Sequence, residues 1–139
     1  MELKGLSYEP KILLAWSEAI SGNTELRDWL TKNGYPELGL FCFALRNKDD
    51  ARDWLLKNGF QHLMALINGV EGNENALMWL RAHKYPILHK MALVGDGDEE
   101  AFNWLMSNNL QVLAMIAKKI EFVKDQIEDD NIDPHKISF

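Results

Sequence analysis

The side chains in this sequence best suited to chemistry are one thiol, four histidines and a recurring arginine–aspartate pair. Cys42 is the only cysteine. A nucleophilic thiol needs a neighbouring cation or a helix N-terminus to hold it as thiolate, and the surrounding sequence supplies neither. Within a 25-residue period set out below, Cys42 falls where Ile67, Ala92 and Ala117 stand, so it reads as a buried structural residue. One cysteine also rules out an intramolecular disulfide, as suits a reducing compartment. The histidines are His62, His83, His89 and His135. No two are four residues apart, the spacing that lets two imidazoles share a metal on one helix face. His83 stands where asparagine ends the equivalent helices, so it reads as a C-terminal cap.

Asp28 and Asp53 occupy one position of the period, each preceded by an arginine, Arg27 and Arg52. The expectation is a ladder of surface ion pairs between stacked units, because the next two copies read Leu77-Met78 and Phe102-Asn103 and a catalytic dyad would not be half kept. Gly95-Asp96-Gly97-Asp98 lacks the remaining ligands and closing glutamate of a calcium loop. No glycine-rich phosphate loop or nucleophile elbow occurs. The sequence therefore offers no catalytic, metal or cofactor site. An enzyme holding a small molecule between hairpins is a minor alternative.

What must position these residues is a repeat. Trp29, Trp54, Trp79 and Trp104 recur every 25 residues, each followed by leucine. Units Asn23–Asn47, Lys48–Gly72, Asn73–Gly97 and Asp98–Phe122 align without a gap. The fourth unit position is Leu26, Ala51, Ala76 or Ala101, and positions four, seven and eight share one helix face. Alanine there allows close backbones, with the tryptophan expected to wedge between hairpins. Asn23, Asn73 and Asp98, with Asp49 or Asn47 in the second unit, are expected N-caps, and acidic residues crowd each first turn. The first helix ends at Asn33-Gly34, Asn58-Gly59, His83-Lys84 and Asn108-Asn109. A second helix then carries Leu38, Leu63, Leu88 and Leu113, and three residues on Phe41, Leu66, Met91 and Ile116. Leu13 and Trp16 extend this stripe backward, so Pro10–Ile20 reads as a half-unit cap.

The expected fold is all-α: an α-α superhelix, or solenoid, of four 25-residue helix-turn-helix repeats with an N-terminal half-repeat and a longer C-terminal capping helix. Residues 1–127 form one domain, divided 8–22, 23–47, 48–72, 73–97 and 98–122 with a helical extension to 127. Residues 128–139 are expected to be a mobile acidic tail. This arrangement resembles the general class of short α-solenoids such as ankyrin, tetratricopeptide and HEAT-type repeats. The resemblance covers about residues 8–127 and concerns architecture. The unit is shorter, ankyrin's Thr-Pro-Leu-His is absent and no tetratricopeptide signature is matched, so no functional residues carry across.

Net charge is −6, of which residues 121–139, with six acidic residues and two lysines, hold −4. No basic stripe is available for phosphates, so nucleic acid is not an expected partner. No apolar run approaches a membrane span and no signal peptide is evident, giving an expectation of a cytoplasmic protein without membrane contact. The changing positions point to another protein or peptide segment as partner. Unit positions five and nine read Arg27 and Thr31, Arg52 and Leu56, Leu77 and Arg81, Phe102 and Met106. On the second helix the free positions are Gly39, Met64, His89 and Ala114, then Phe43, Asn68, Leu93 and Lys118. The expected binding surface is a ridge of Arg27, Arg52, Leu56, Leu77, Arg81, Phe102 and Met106, a mix favoured at interface centres. The competing reading has Leu77, Phe102 and Met106 packing under the last helix. The leading function is a non-enzymatic protein-binding or scaffolding module. The alternative is an acidic inhibitor or immunity-type protein masking a basic partner.

Overall fold

Helix boundaries repeat with the sequence period. A computed structural model describes residues 2–132, and among these it contains nine helices and no strand. They are α1 (Pro10–Ile20), α2 (Thr24–Lys32), α3 (Pro36–Leu45), α4 (Asp49–Lys57), α5 (Gln61–Val70), α6 (Glu74–Ala82), α7 (Pro86–Gly95), α8 (Glu99–Ser107) and α9 (Gln111–Ile132). Both α2, α4, α6, α8 and α3, α5, α7, α9 begin at intervals of 25 residues.

Local chemistry explains these boundaries. Asn23, Asn73 and Asp98 accept hydrogen bonds from the amides of Leu26, Ala76 and Ala101 at 3.0, 3.1 and 3.1 Å, satisfying donors the helix leaves orphaned. The second unit departs from expectation. Its N-cap is Lys48 without a side-chain cap, and Asp50 instead accepts from the amide of Ala51 at 2.9 Å. At the other end, Asn33, Asn58 and Asn108 donate to the carbonyls of Trp29, Trp54 and Trp104 at 2.7, 2.8 and 2.8 Å. His83 Nδ1 takes the same place 3.0 Å from the Trp79 carbonyl, and because a carbonyl only accepts, this nitrogen carries the hydrogen. The cap role expected of His83 is thus the observed one. The next residue turns left-handed: Gly34, Gly59, Lys84 or Asn109.

The tryptophans are not the interior wedges. Leu30, Leu55, Leu80 and Leu105 are fully buried, whereas Trp29 is 45 % exposed and Trp54, Trp79 and Trp104 are half-buried. Positions four and eight, an i, i+4 pair, face the core; position seven falls to its flank. There the indole covers the turn between the helices. Trp54 stacks on Phe60 with centroids 5.8 Å apart, and Trp79 stacks on Tyr85 at 5.8 Å and His83 at 4.1 Å. This stacking is found in the second and third units; in the fourth the residue after the turn is Leu110. The second-helix stripe behaves as expected, with Leu38, Phe41, Leu63, Leu66, Leu88, Met91, Leu113 and Ile116 all buried. In α1, buried Trp16 meets Phe41 edge-on at 5.0 Å.

Consecutive helices pack on each other, and α1, α3, α5, α7 and α9 also touch in sequence, with α9 returning to α1. Lys119 of α9 lies 3.4 Å from Glu18 of α1. Lys124 of α9 donates to the carbonyls of Val70 and Gly95 at 3.2 and 2.9 Å, joining the C-terminal ends of α5 and α7. The helix runs on to Ile132, so residues 128–132 are helical where a mobile tail was expected. The rest of that expected tail, residues 133–139, lies outside the described residues. Among the latter, no helix is long and apolar enough to cross a membrane.

The segment preceding α1 forms a strap that the repeat pattern does not foretell. Leu6 is fully buried, Tyr8 donates to Glu37 at 2.6 Å, and Lys4 donates to the His83 carbonyl at 2.6 Å. A side chain at Gly5 would meet His62 at 2.9 Å and Tyr85 at 3.2 Å, so the backbone lies directly on those rings.

Candidate functional site

Of the groups singled out for chemistry, Cys42, His62 and His83 are held structurally, and His135 lies outside the described residues. Cys42 is buried and donates toward the Leu38 carbonyl at 3.5 Å; burial pushes its thiol up to about 12, far from a reactive thiolate. His62 stacks on Tyr85 at 5.2 Å under the strap, and burial lowers its pKa. Tyr8 is raised above its usual value by burial first and then by its bond to Glu37. Among the described residues no group of three histidine, cysteine, aspartate or glutamate side chains could hold a metal.

The arginine–aspartate ladder does not form. Arg27 lies 3.2 Å from its own neighbour Asp28 and its guanidinium sits 4.2 Å over Phe43. Arg52 turns away from Asp53 and donates to the Ala44 carbonyl and Asn47 at 2.9 Å each, and to Glu71 at 3.4 Å. Backbone acceptors at the end of α3 lie within reach of a side chain at this position, and they outcompete a solvated carboxylate.

The expected ridge therefore divides. Leu77 is 7 % exposed and fills the hollow left by Gly69 of α5, 3.1 Å from where a Cβ would stand, so it is a packing residue and leaves the binding surface. Phe102 is half-buried, with Lys118 of α9 5.1 Å over its ring. Arg27 and Arg52 are half-buried and engaged as described. Leu56, Arg81 and Met106 remain exposed.

What lies open is a groove between successive units, floored by unit positions nine, fourteen, seventeen and eighteen. Between the second and third units it encloses about 310 Å³ and is lined by Leu56, Met64, Ala65 and Trp79, with Gln61, Asn68, Asn73 and Asn75 around them. At the equivalent place one unit on it encloses about 480 Å³, lined by Arg81, Lys84, Tyr85, Pro86, His89 and Lys90. In the first unit the corresponding space is shut. Thr31, held by its bond to the Arg27 carbonyl at 2.9 Å, occupies the room a side chain at Gly39 would need.

Sequence reasoning missed Trp79 as a groove wall and overlooked Lys84 and Lys90. The signal was present in a column-by-column reading of the units. The positions of Arg81, Lys84, His89 and Lys90 hold Thr31, Gly34, Gly39 and Leu40 in the first unit, and Leu56, Gly59, Met64 and Ala65 in the second. In the fourth they hold Met106, Asn109, Ala114 and Met115. Only the third unit carries charge there. Comparison with protein-family models, curated proteins and solved structures gives no match.

Proposed function

We propose that the chain is a protein-binding or scaffolding module built from four 25-residue helical hairpins stacked as a superhelix, with α1 as a half-unit and α9 as the closing helix. Its occupant in the second-to-third-unit groove is a peptide segment of another protein that inserts an apolar side chain against Leu56, Met64 and Trp79. The observation that carries this reading is the composition of that groove. An apolar floor holding a 46 % exposed leucine is rimmed by four side-chain amides, and amides both donate to and accept from a peptide backbone. Asn73 spends its oxygen capping α6 and keeps its NH₂ for a ligand. Exposed apolar surface rimmed by polar groups is the usual form of an interaction site.

The reading assigns no reaction to the chain: its thiol is buried, His62 packs under the strap and His83 caps α6. The acidic-inhibitor alternative draws support from exposed Glu128, Asp129 and Asp130 on the last turns of α9; binding by that surface would weaken steeply with salt, whereas the groove would not.

Selection of displayed peptides on the full chain tests the groove. Selected peptides are expected to share an apolar anchor and to lose at least tenfold in affinity for Leu56→Asp, a change at an exposed position that leaves the circular dichroism spectrum unaltered. Peptides that bind the variant as well as the parent would place the interaction elsewhere.

A further inference from the structure

The third-unit cleft differs in kind from the groove beside it. Arg81, Lys84, His89 and Lys90 converge on it with Tyr85 and Pro86, in a chain whose net charge is −6. Among the described residues none of the four basic groups has a carboxylate within 4.0 Å. Lys90 instead lies 5.4 Å over the Trp104 ring, and Lys4 of the strap lies 4.3 Å over Tyr85. Helix α7 opens in the cleft at Pro86, its N-cap Tyr85 supplies no side-chain cap and its first turn holds no acidic residue, so its positive dipole end adds to the field.

Backbone geometry also marks Lys84. Lys84 is held at φ 61°, in the left-handed region that side chains other than glycine and asparagine rarely adopt. The other units place Gly34, Gly59 and Asn109 there. Lysine is thus kept in a strained setting where it lines the cleft and makes no ion pair among the described residues. Strain of this kind concentrates at ligand sites.

We propose that the third-unit cleft is a binding site for a phosphate monoester, carried by a small molecule or by a phosphorylated side chain. A phosphate monoester brings about −1.5 to −2 charge and three acceptor oxygens, which answers three permanent cations better than a single carboxylate. Arg81 supplies a planar fork and the lysines supply point charges. A nucleic acid does not fit, because the equivalent positions of the neighbouring units are uncharged and leave no track for a polyanion. The site stands whether or not the apolar groove takes a peptide.

The test is an NMR titration of the isotope-labelled full chain, in about 0.15 M salt, with inorganic phosphate, O-phosphoserine, a phosphoserine peptide and acetate as probes. Saturable amide shifts confined to residues 81–90 and the Trp104 indole are expected with the three phosphates, at least tenfold weaker in Arg81→Gln and Lys90→Gln. Equal affinities for phosphoserine and the peptide assign a small-molecule ligand, while a peptide at least tenfold tighter assigns a modified side chain. Lys84→Gly separates ligand binding from folding. It is expected to melt no lower than the parent while binding phosphate more weakly. Acetate binding as tightly as phosphate, shifts scattered over surface lysines, or a Lys84→Gly variant that melts lower and binds as well would each overturn the proposal.

Discussion

Lys124 is the sharpest place to test how the last helix is held. Its side chain is 14 % exposed, and its ammonium reaches the carbonyls ending both α5 and α7. Lys124→Met keeps the aliphatic stem and removes both bonds. A hydrogen bond from a charged donor contributes about 1.5–3 kcal/mol, and a cation at a partly buried helix C-terminus up to about 2 kcal/mol. One ammonium serves both carbonyls and water replaces part of the loss, so the expected cost is about 3 kcal/mol. Of a typical total of about 5–15 kcal/mol that is a large share. In urea it moves the midpoint by about 1–2 M without changing the slope, and the melting temperature falls by about 10 °C. A loss under about 0.5 kcal/mol would mean that Ile116, Ile120 and Val123 hold α9 through apolar contact alone, and the clamp would be refuted.

Leu30→Ala should cost about 3–4 kcal/mol as a fully buried truncation, and Trp29→Ala only about 1–2 kcal/mol for its partly exposed ring. The reverse order in chemical denaturation would restore the indole as interior wedge. The chain should also lose stability on mild acidification. Burial lowers the pKa of both His62 and His89 below the ordinary 6.5, with the charges of Arg81 and Lys90 adding to the effect at His89. Below pH 6.5 the unfolded chain therefore takes up protons that the folded one refuses, and stability present above that value is lost as pH falls toward the folded pKa. Melting temperatures at pH 7.5 and 5.5 should differ, and by less in the double variant His62→Gln/His89→Gln; a parent equally stable at both would contradict the burial of these rings.

Helix boundaries were legible because they depend on neighbours within a few residues. Asn23, Asn73 and Asp98 cap, Pro36 and Pro86 start helices, and α1 spans the expected Pro10–Ile20. The leucine stripes were legible because a 3.6-residue period marks a buried face directly. Which of two adjacent residues faces inward was less so, since position seven and position eight both lie near the stripe and size alone favoured tryptophan. The side chains that finally faced inward were the leucines, and in the second and third units the indole instead stacks across the turn on an aromatic six residues on. Contacts between distant segments left no periodic trace at all. The strap over His62 and Tyr85, the reach of Lys124 and the packing of Leu77 into the space at Gly69 are each written once in the chain. The third-unit cleft lies between these cases. Its charge stood in the sequence, but its convergence needed two helices and a turn to be folded together.

The return of α9 to α1 bears on how such a chain can change in length. Tandem duplication lengthens an array most readily where an end hairpin stands free. Here α9 lies against α1, and a copy spliced into the middle would drive apart the helices that Lys119 and Glu18 now join. An added hairpin would have to be accommodated without losing that contact between α1 and α9.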